Sequence, residues 1–179
     1  MADVTLVPYG NAKETKTSSG WTYDCQHGET ECVYNAMETC GLSYISSTIK
    51  AWNFVDCIEN NDDSRSKTNY DEVLDKCVAS ASIAKSQAAT IKTCYTGSDG
   101  NALEHSMALM TEALSPAHTY VPWVVGQGVH SDEVQNEIGD SLLKYVCSNY
   151  TGKNKAAACG SSSFKSHMKD IMSPCMPGN

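Results

Sequence analysis

Nine cysteines in a chain of 179 residues limit the fold more than any other feature of the sequence. A reducing cytosol would leave most of these thiols free and reactive, whereas the secretory pathway oxidises them in pairs. The sequon Asn149-Tyr150-Thr151 agrees with a secretory route, because N-glycans are attached at this pattern in secreted proteins. We therefore predict a protein held together by several disulfides, with a glycan at Asn149.

Length and charge restrict the class of protein further. We expect residues 1–179 to form a single domain, with a cysteine-containing C-terminal tail from about residue 150. The net charge of -8 repels polyanions, which argues against a nucleic-acid partner. No apolar run approaches the ~18 residues of a membrane span, and no apolar signal core follows Met1, so any secretion signal is expected upstream or lost from a shortened product. No motif indicates a cofactor, and none is predicted.

Periodic apolar residues predict several helices in the first two thirds of the chain. A helical pattern begins near Glu29, and three further faces then follow steps of three and four residues. The first contains Leu42, Ile45, Ile49 and Trp52; the second, one long and bent helix, contains Val73, Cys77, Ala81, Ala84, Ala88 and Ile91; the third contains Leu103, Met107, Met110 and Leu114. We expect these faces to be buried, with the methionines filling the core.

Strand patterns are fewer and flank the helices. The run 4–7 predicts a short strand that leaves into a polar loop reaching Cys25, and the run 120–125 predicts a stronger strand. Gly126-Gln127-Gly128 predicts a hairpin turn after it. A last helix is expected from Ser131, with Val134, Ile138, Leu142 and Val146 facing inward. This order of elements predicts an α+β fold.

The most specific motif spans Cys25 to Cys40 and has the form C-Q-H-G-x2-E-C-x2-N-x4-C. Its fixed positions are Cys25, Gln26, His27, Gly28, Glu31, Cys32, Asn35 and Cys40. This segment resembles the signature of the gamma-interferon-inducible lysosomal thiol reductase (GILT) family. The segments 7–12, 117–124 and 147–159 are also similar to that family, so the resemblance extends over most of the chain.

The resemblance implies a fold and an activity. The family is thioredoxin-like, so this chain is expected to be an α+β, thioredoxin-like domain that lacks its first strand and helix and has a helical insertion and several disulfides. Family members are secreted or lysosomal reductases that reduce protein disulfides at acid pH with a C-x-x-C pair. By the same resemblance the Val121-Pro122 bond is expected to be cis; either Pro122 faces a redox pair or it only locks a turn.

No C-x-x-C pair occurs among the 179 residues. Thiol-disulfide exchange needs a second, adjacent thiol to release the mixed disulfide. The leading hypothesis is therefore a GILT-like protein without reductase activity that acts by binding another protein, and no catalytic residue is predicted. The alternative is a reductase whose C-x-x-C lies upstream and whose partner is a disulfide-containing protein. A swapped or side-by-side homodimer is one arrangement that would fill the place of the missing strand.

The roles of Cys25, Cys32 and Cys40 stay open at this point. They are structural disulfide partners, redox-active thiols or, with His27, ligands of a zinc module; the spacing lacks the C-x2-4-C of zinc knuckles, and no metal site is predicted. Cys77 and Cys94 cannot bond to each other within one uninterrupted helix, which would separate them by about 25 Å. The same argument disfavours Cys40 with Cys57. An odd number of cysteines leaves at least one thiol free or intermolecular.

Overall fold

The computed structural model describes residues 3–60 and 69–160. The chain forms two compact units, which are described separately. The helical unit comprises Val7–Ala113, and the proline unit comprises Met1–Leu6 together with Leu114–Asn179. The prediction of one domain over residues 1–179 stays a prediction, and most of the predicted C-terminal tail lies outside the described residues.

The described part of the helical unit begins with a β-hairpin and continues as helices. Strands β1 (Lys13–Thr17) and β2 (Gly20–Asp24) are antiparallel, with Thr17 opposite Gly20. The helices are α1 (Glu29–Tyr44), α2 (Thr48–Glu59), α3 (Tyr70–Ser80), α4 (Lys85–Tyr95) and α5 (Ser98–Glu112). In the proline unit, α6 (Asp132–Asn149) precedes a short 3-10 helix, Ala157–Gly160. The predicted α+β class is confirmed, and it is compatible with the thioredoxin-like plan that the resemblance implies.

Helix α1 is the centre of the helical unit and packs against α2, α4 and α5. Met37 and Cys40 of α1 meet Phe54 and Ile58 of α2 in a core from which water is almost completely excluded. Gly41 permits this approach, because a Cβ at this position would overlap the ring of Phe54. Burying each of these large apolar side chains contributes about 1.5–3 kcal/mol. The core therefore depends on close contact between α1 and α2.

Two of the predicted helical faces are divided between separate helices. The first face is interrupted because α1 ends at Tyr44 and α2 begins at Thr48; Ile45 is buried in the connection, but Ile49 is 75% exposed, so its predicted burial is wrong. The second face is shared by α3 and α4, and Ser82 between them has a φ of 54° that no helix accommodates. The predicted burial of Ala84, just before α4, and of Met110, on α5, is also wrong.

The strand predictions were wrong at three places. Residues 4–7 form no strand, and the predicted polar loop before Cys25 is instead the β1–β2 hairpin, whose threonines and aromatic residues flank a two-residue Ser18-Ser19 turn. Residues 120–125 also form no strand. The turn after them is confirmed: Gly126 and Val129 exchange backbone hydrogen bonds, and Gln127 and Gly128 both have positive φ.

The last predicted helix is confirmed as α6. Ser131 caps its start, because its Oγ accepts a hydrogen bond from the backbone N–H of Val134. Ile138 is buried, and the other residues of the predicted inner face are half-buried. Ser141 departs from helical geometry, so the helix is kinked at that residue. Among the helices that the structure describes, none is long and apolar enough to span a bilayer.

Four disulfides crosslink the described residues. They join Cys25 to Cys32, Cys40 to Cys94, Cys57 to Cys77, and Cys147 to Cys159. Their Cα–Cα distances of 5.4 to 6.0 Å are normal for disulfides. The two excluded pairings, Cys77 with Cys94 and Cys40 with Cys57, are indeed absent, although the helices in question are broken. The ninth cysteine, Cys175, lies outside the described residues.

Two carboxyl groups, Glu38 on α1 and Glu104 on α5, are each only 3% exposed. Burial raises the pKa of Glu104 to about 8, although a hydrogen bond from Thr39 Oγ1 at 3.0 Å opposes the shift. Burial also raises the pKa of Glu38 well above its ordinary value, and the charges of Glu59 and Glu104 raise it further. The folded unit therefore accommodates both groups best in their protonated, uncharged form.

The four disulfides are expected to differ in their contribution to stability. In the chain-entropy model, the Cys40–Cys94 bond, with a separation of 54, contributes about 4 kcal/mol, and the Cys25–Cys32 bond, with a separation of 7, about 2.5 kcal/mol. Replacing Cys40 and Cys94 by alanine should therefore lower the urea midpoint more than replacing Cys25 and Cys32. Equal midpoints in urea titrations of the two double variants would contradict this ranking.

The buried carboxyl groups predict greater stability in acid. The folded-state pKa of Glu104 is about 8, above its ordinary value of 4.5, so its contribution to stability is complete below pH 4.5 and is lost as the pH rises through 8. The Glu104→Gln variant should reduce the loss of unfolding free energy between pH 5 and pH 8 by roughly 2–4 kcal/mol. Glu112→Gln, which alters an exposed carboxylate on the same helix, is the control. Chemical denaturation at the two pH values measures both, and an unchanged pH dependence in Glu104→Gln would refute the prediction.

Candidate functional site

The motif residues from Cys25 onward form a sharp connection between β2 and α1, which we call the signature elbow (residues 24–35). The Cys25–Cys32 disulfide closes this elbow, joining the residue that follows β2 to the first turns of α1. The backbone N–H of Gly28 donates to the carbonyl of Cys25 at 3.0 Å, which tightens the turn inside the bridge. Residues near the start of α1 are thus fixed both covalently and by hydrogen bonds.

Gly28 supplies a backbone conformation that other residues avoid. It precedes the first residue of α1 with φ 92° and ψ -168°, a region that is essentially restricted to glycine. A Cβ at Gly28 would meet no atom within 4 Å, so the requirement comes from the backbone and not from crowding. The fixed glycine of the motif is therefore explained by the geometry of the chain as it enters the helix.

His27 and Glu31 complete the start of α1. The backbone N–H of His27 donates to Glu31 Oε2 at 2.6 Å, and His27 Nδ1 lies 3.1 Å from the same oxygen. Glu31 lies in the first turn, where the positive end of the helix dipole favours a carboxylate. The His27 side chain is 45% exposed, and its contact with Glu31 serves the helix start.

Gln26 and Asn35 join the elbow to the loop at residues 9–11. Asn11 Nδ2 donates to Gln26 Oε1 at 2.8 Å, and Asn35 Nδ2 donates to the carbonyl of Tyr9 at 3.3 Å. Gly10, in that loop, has a φ of 62°. Two segments that resemble the family separately in the sequence, 7–12 and 25–40, are therefore brought together.

The cysteines of the motif are used in disulfides. Cys40 bonds to Cys94 across the core, while Cys25 and Cys32 bond to each other. A zinc module would need their thiolates as ligands. Within residues 3–60 and 69–160, no group of three or more metal-ligating side chains is arranged to hold an ion. The geometry thus favours the disulfide interpretation of the motif over the metal interpretation.

Pro122 lies in an irregular but firmly held segment of the proline unit. The Val121–Pro122 bond is cis, as is Ser115–Pro116. The Gln135 side chain on α6 holds both sides of Trp123: its Nε2 donates to the carbonyl of Pro122 at 2.9 Å, and its Oε1 accepts from the N–H of Val124 at 2.8 Å. These side-chain contacts satisfy backbone groups of a segment that forms no strand. An active role for Pro122 stays a prediction.

His130 adds a second support to the segment that contains Pro122. Its Nδ1 donates to the carbonyl of Val124 at 2.8 Å, and its ring stacks on Trp123 with a centroid distance of 3.3 Å. Neither Gln135 nor His130 was singled out in the sequence. A side-chain amide that binds backbone has no motif, so the sequence offers no signal from which this role could be inferred.

Asn149, the predicted glycosylation site, is the last residue of α6 and is exposed. Its Nδ2 donates to the carbonyl of Tyr145 at 2.9 Å, a contact that a glycan on this nitrogen would have to accommodate. Cys147 lies two residues earlier and is tied to Cys159. Glycosylation at Asn149 stays a prediction.

Comparison with known proteins supports the family resemblance that the residues of the signature elbow indicate. The family described as Gamma interferon inducible lysosomal thiol reductase (GILT) matches residues 1–81, which include the whole motif. The Gamma-interferon-inducible lysosomal thiol reductases of Carassius auratus and Mus musculus are 39% and 37% identical, over 88% and 89% of this chain. The Gamma-interferon-responsive lysosomal thiol protein of Arabidopsis thaliana is 33% identical over 93% of it.

The chain spans about three fifths of the length of these curated relatives: 59% of the first two and 64% of the third. The similarity is therefore established for this part of them. From the motif at the elbow and these matches, the chain belongs to the gamma-interferon-inducible lysosomal thiol reductase family.

Proposed function

We propose that this 179-residue polypeptide is a disulfide-crosslinked GILT-type scaffold that binds another protein and does not itself reduce disulfides. The observation that supports this proposal is that nearly all of the cysteine sulfurs are bonded to one another. Eight of the nine cysteines are joined in four disulfides, and no C-x-x-C pair occurs in the sequence. These 179 residues therefore offer no adjacent pair of thiols for an exchange reaction.

Thiol-disulfide exchange requires such a pair of thiols for a chemical reason. A thiolate attacks the substrate disulfide and forms a mixed disulfide, which a second thiol must then displace to release the reduced product. At acid pH the attacking thiol also needs a lowered pKa, which a nearby cation or helix start provides. Cys32 does lie near a helix start, but its sulfur is bonded to Cys25, and Glu29 and Glu31 in the same turn oppose a thiolate.

A second candidate function is thiol reduction by a longer polypeptide that contains this chain after a C-x-x-C segment. The names of the Carassius auratus and Mus musculus relatives, which are called thiol reductases, favour this candidate. The rigid segment around Pro122 would then lie beside the redox pair. In that case these residues would supply the support and the protein-binding surface of the enzyme, and the partner would be a disulfide-containing protein.

We also propose a secretory route and a lysosomal or extracellular location. Several disulfides are typical of proteins that mature in an oxidising compartment, and the relatives are named lysosomal. The buried, protonated carboxyl groups suit an acid compartment. A protein partner, without nucleic acid, is consistent with the net charge of -8. A homodimer remains part of this proposal.

Insulin reduction at pH 5 tests the proposed lack of activity. The 179-residue chain, supplied with a small-thiol reductant, should reduce insulin no faster than the same chain after its thiols have been blocked by alkylation. Two variants identify the source of any activity: Cys25→Ala with Cys32→Ala removes the elbow bridge, and Cys175→Ser removes the ninth sulfur. Turnover above the blocked control would remove the binding-only proposal and favour the reductase.

The presence of an N-glycan at Asn149 tests the proposed secretory route. Expressed with a secretion signal in eukaryotic cells, the chain should carry one N-glycan at Asn149, because that exposed residue is followed by Tyr150 and Thr151. Treatment with an N-glycosidase should lower its apparent mass to that of the Asn149→Gln variant. Secreted protein whose mass does not change on this treatment would contradict the assignment of the site.

A further inference from the structure

The β1–β2 hairpin is attached to α5 by two side chains that lie on the same face of that helix. Asn101 and His105 are four residues apart, so they project one above the other. Each contacts the hairpin about eighty to ninety residues away in sequence. The two attachments differ in chemistry: one is a neutral amide and the other can be charged.

Asn101 is the neutral attachment. Its Oδ1 accepts from the N–H of Trp21 at 2.9 Å, and its Nδ2 donates to the carbonyl of Trp21 at 2.8 Å. The hydroxyl of Tyr23 also donates to the backbone carbonyl of Asn101 at 2.8 Å. This amide therefore pairs with the outer edge of β2 as a neighbouring strand would. None of these groups gains or loses a proton between pH 5 and 8.

His105 is the attachment that can change charge. Its Nδ1 lies 2.8 and 2.9 Å from the two carboxylate oxygens of Glu14 on β1, and its ring stacks on Trp21 of β2 with centroids 3.9 Å apart. The Glu14 side chain is 7% exposed and that of His105 25%. In the described part of the chain, His105 is the one side chain that hydrogen-bonds to Glu14.

Glu14 is nearly buried and, among the described residues, His105 is the side chain that hydrogen-bonds to it. The attachment of the hairpin to α5 at this point therefore depends on His105. Charge-assisted hydrogen bonds are roughly twice as strong as neutral ones, and a buried charge without a partner is costly. A histidine ordinarily changes charge between pH 5 and 8. We propose that His105 acts as a pH-dependent latch, which holds the hairpin firmly to α5 in acid and loosens it near neutral pH.

The charged groups around the latch do not reverse this direction. On β1, Lys16 Nζ lies 5.8 Å from the Trp21 ring centroid, and its positive charge weakly opposes a charged His105. Burial raises the pKa of Tyr9 to about 12 and raises that of Tyr23 as well, so both stay neutral. Glu104 lies beside His105 on α5 and ionises only as the pH approaches 8. Glu112 lies farther along α5, at its end.

The latch is connected to the signature elbow. β2 ends at Asp24, directly before Cys25, and the ring of Tyr23 packs edge-on against Tyr9 with centroids 6.5 Å apart. Tyr9 belongs to the loop that Asn35 holds. Loosening the hairpin would thus loosen the elbow and its loop from one side, while Asn101 continues to hold β2. This device is independent of whether the polypeptide reduces disulfides.

Hydrogen exchange of the full chain tests the latch. After correction for intrinsic rates, amides in the hairpin peptide should be about three- to tenfold better protected at pH 5 than at pH 7.5, relative to amides of α4. His105→Gln should remove this difference. Asn101→Ala, the matched control on the same helix face, should lower protection about equally at both pH values and keep the difference.

Two further variants separate the latch from other effects. His105→Lys keeps a positive charge at both pH values and should keep the hairpin protected at both. Glu104→Gln removes the buried carboxyl that changes global stability with pH, and the hairpin-specific difference should persist in it. Equal hairpin protection of the unaltered chain at pH 5 and 7.5, or a difference that survives in His105→Gln, would overturn the proposal.

Discussion

Helix α1 is bound by disulfides at both ends, and the arrangement of the helical unit depends on this constraint. Cys25–Cys32 fixes its start to the end of β2, and Cys40–Cys94 fixes its last turns to α4. Between these bonds α1 buries Met37 against α2. The same bonds occupy the sulfurs of all three motif cysteines, so none of the three is a free thiol in this structure.

Acidic conditions favour this structure at several points. Glu38 and Glu104 are buried where a proton is required to keep them uncharged, and His105 contacts a nearly buried carboxylate that a protonated ring would neutralise. Burial raises the pKa of both glutamates, so at these two positions the folded state binds protons more tightly than the unfolded chain. The protein should accordingly be most ordered in an acid compartment, which agrees with the lysosomal names of its relatives.

The features that could be predicted from the sequence are those that local residue patterns determine. The apolar spacing located the helical regions, the cysteine content predicted the disulfides, and the motif located the elbow. It could not show that Ser82 would divide one predicted helix into two, because the preceding and following residues continue the same apolar spacing. The hairpin was missed because its polar, threonine-rich strands lack a buried face of their own. The roles of Asn101, Gln135 and His105 depend on contacts between distant residues or with backbone, which no local pattern reveals.

The motif cysteines are bonded as Cys25–Cys32 and Cys40–Cys94, and the proposal that they are not exchange thiols rests on these bonds. Peptide mapping by mass spectrometry, after digestion without reduction and with free thiols alkylated beforehand, measures this directly. We expect linked peptides for those two pairs and for Cys57–Cys77 and Cys147–Cys159, with no alkylation at Cys25 or Cys32. Alkylated Cys25 or Cys32, or a bond from either to another cysteine, would contradict it.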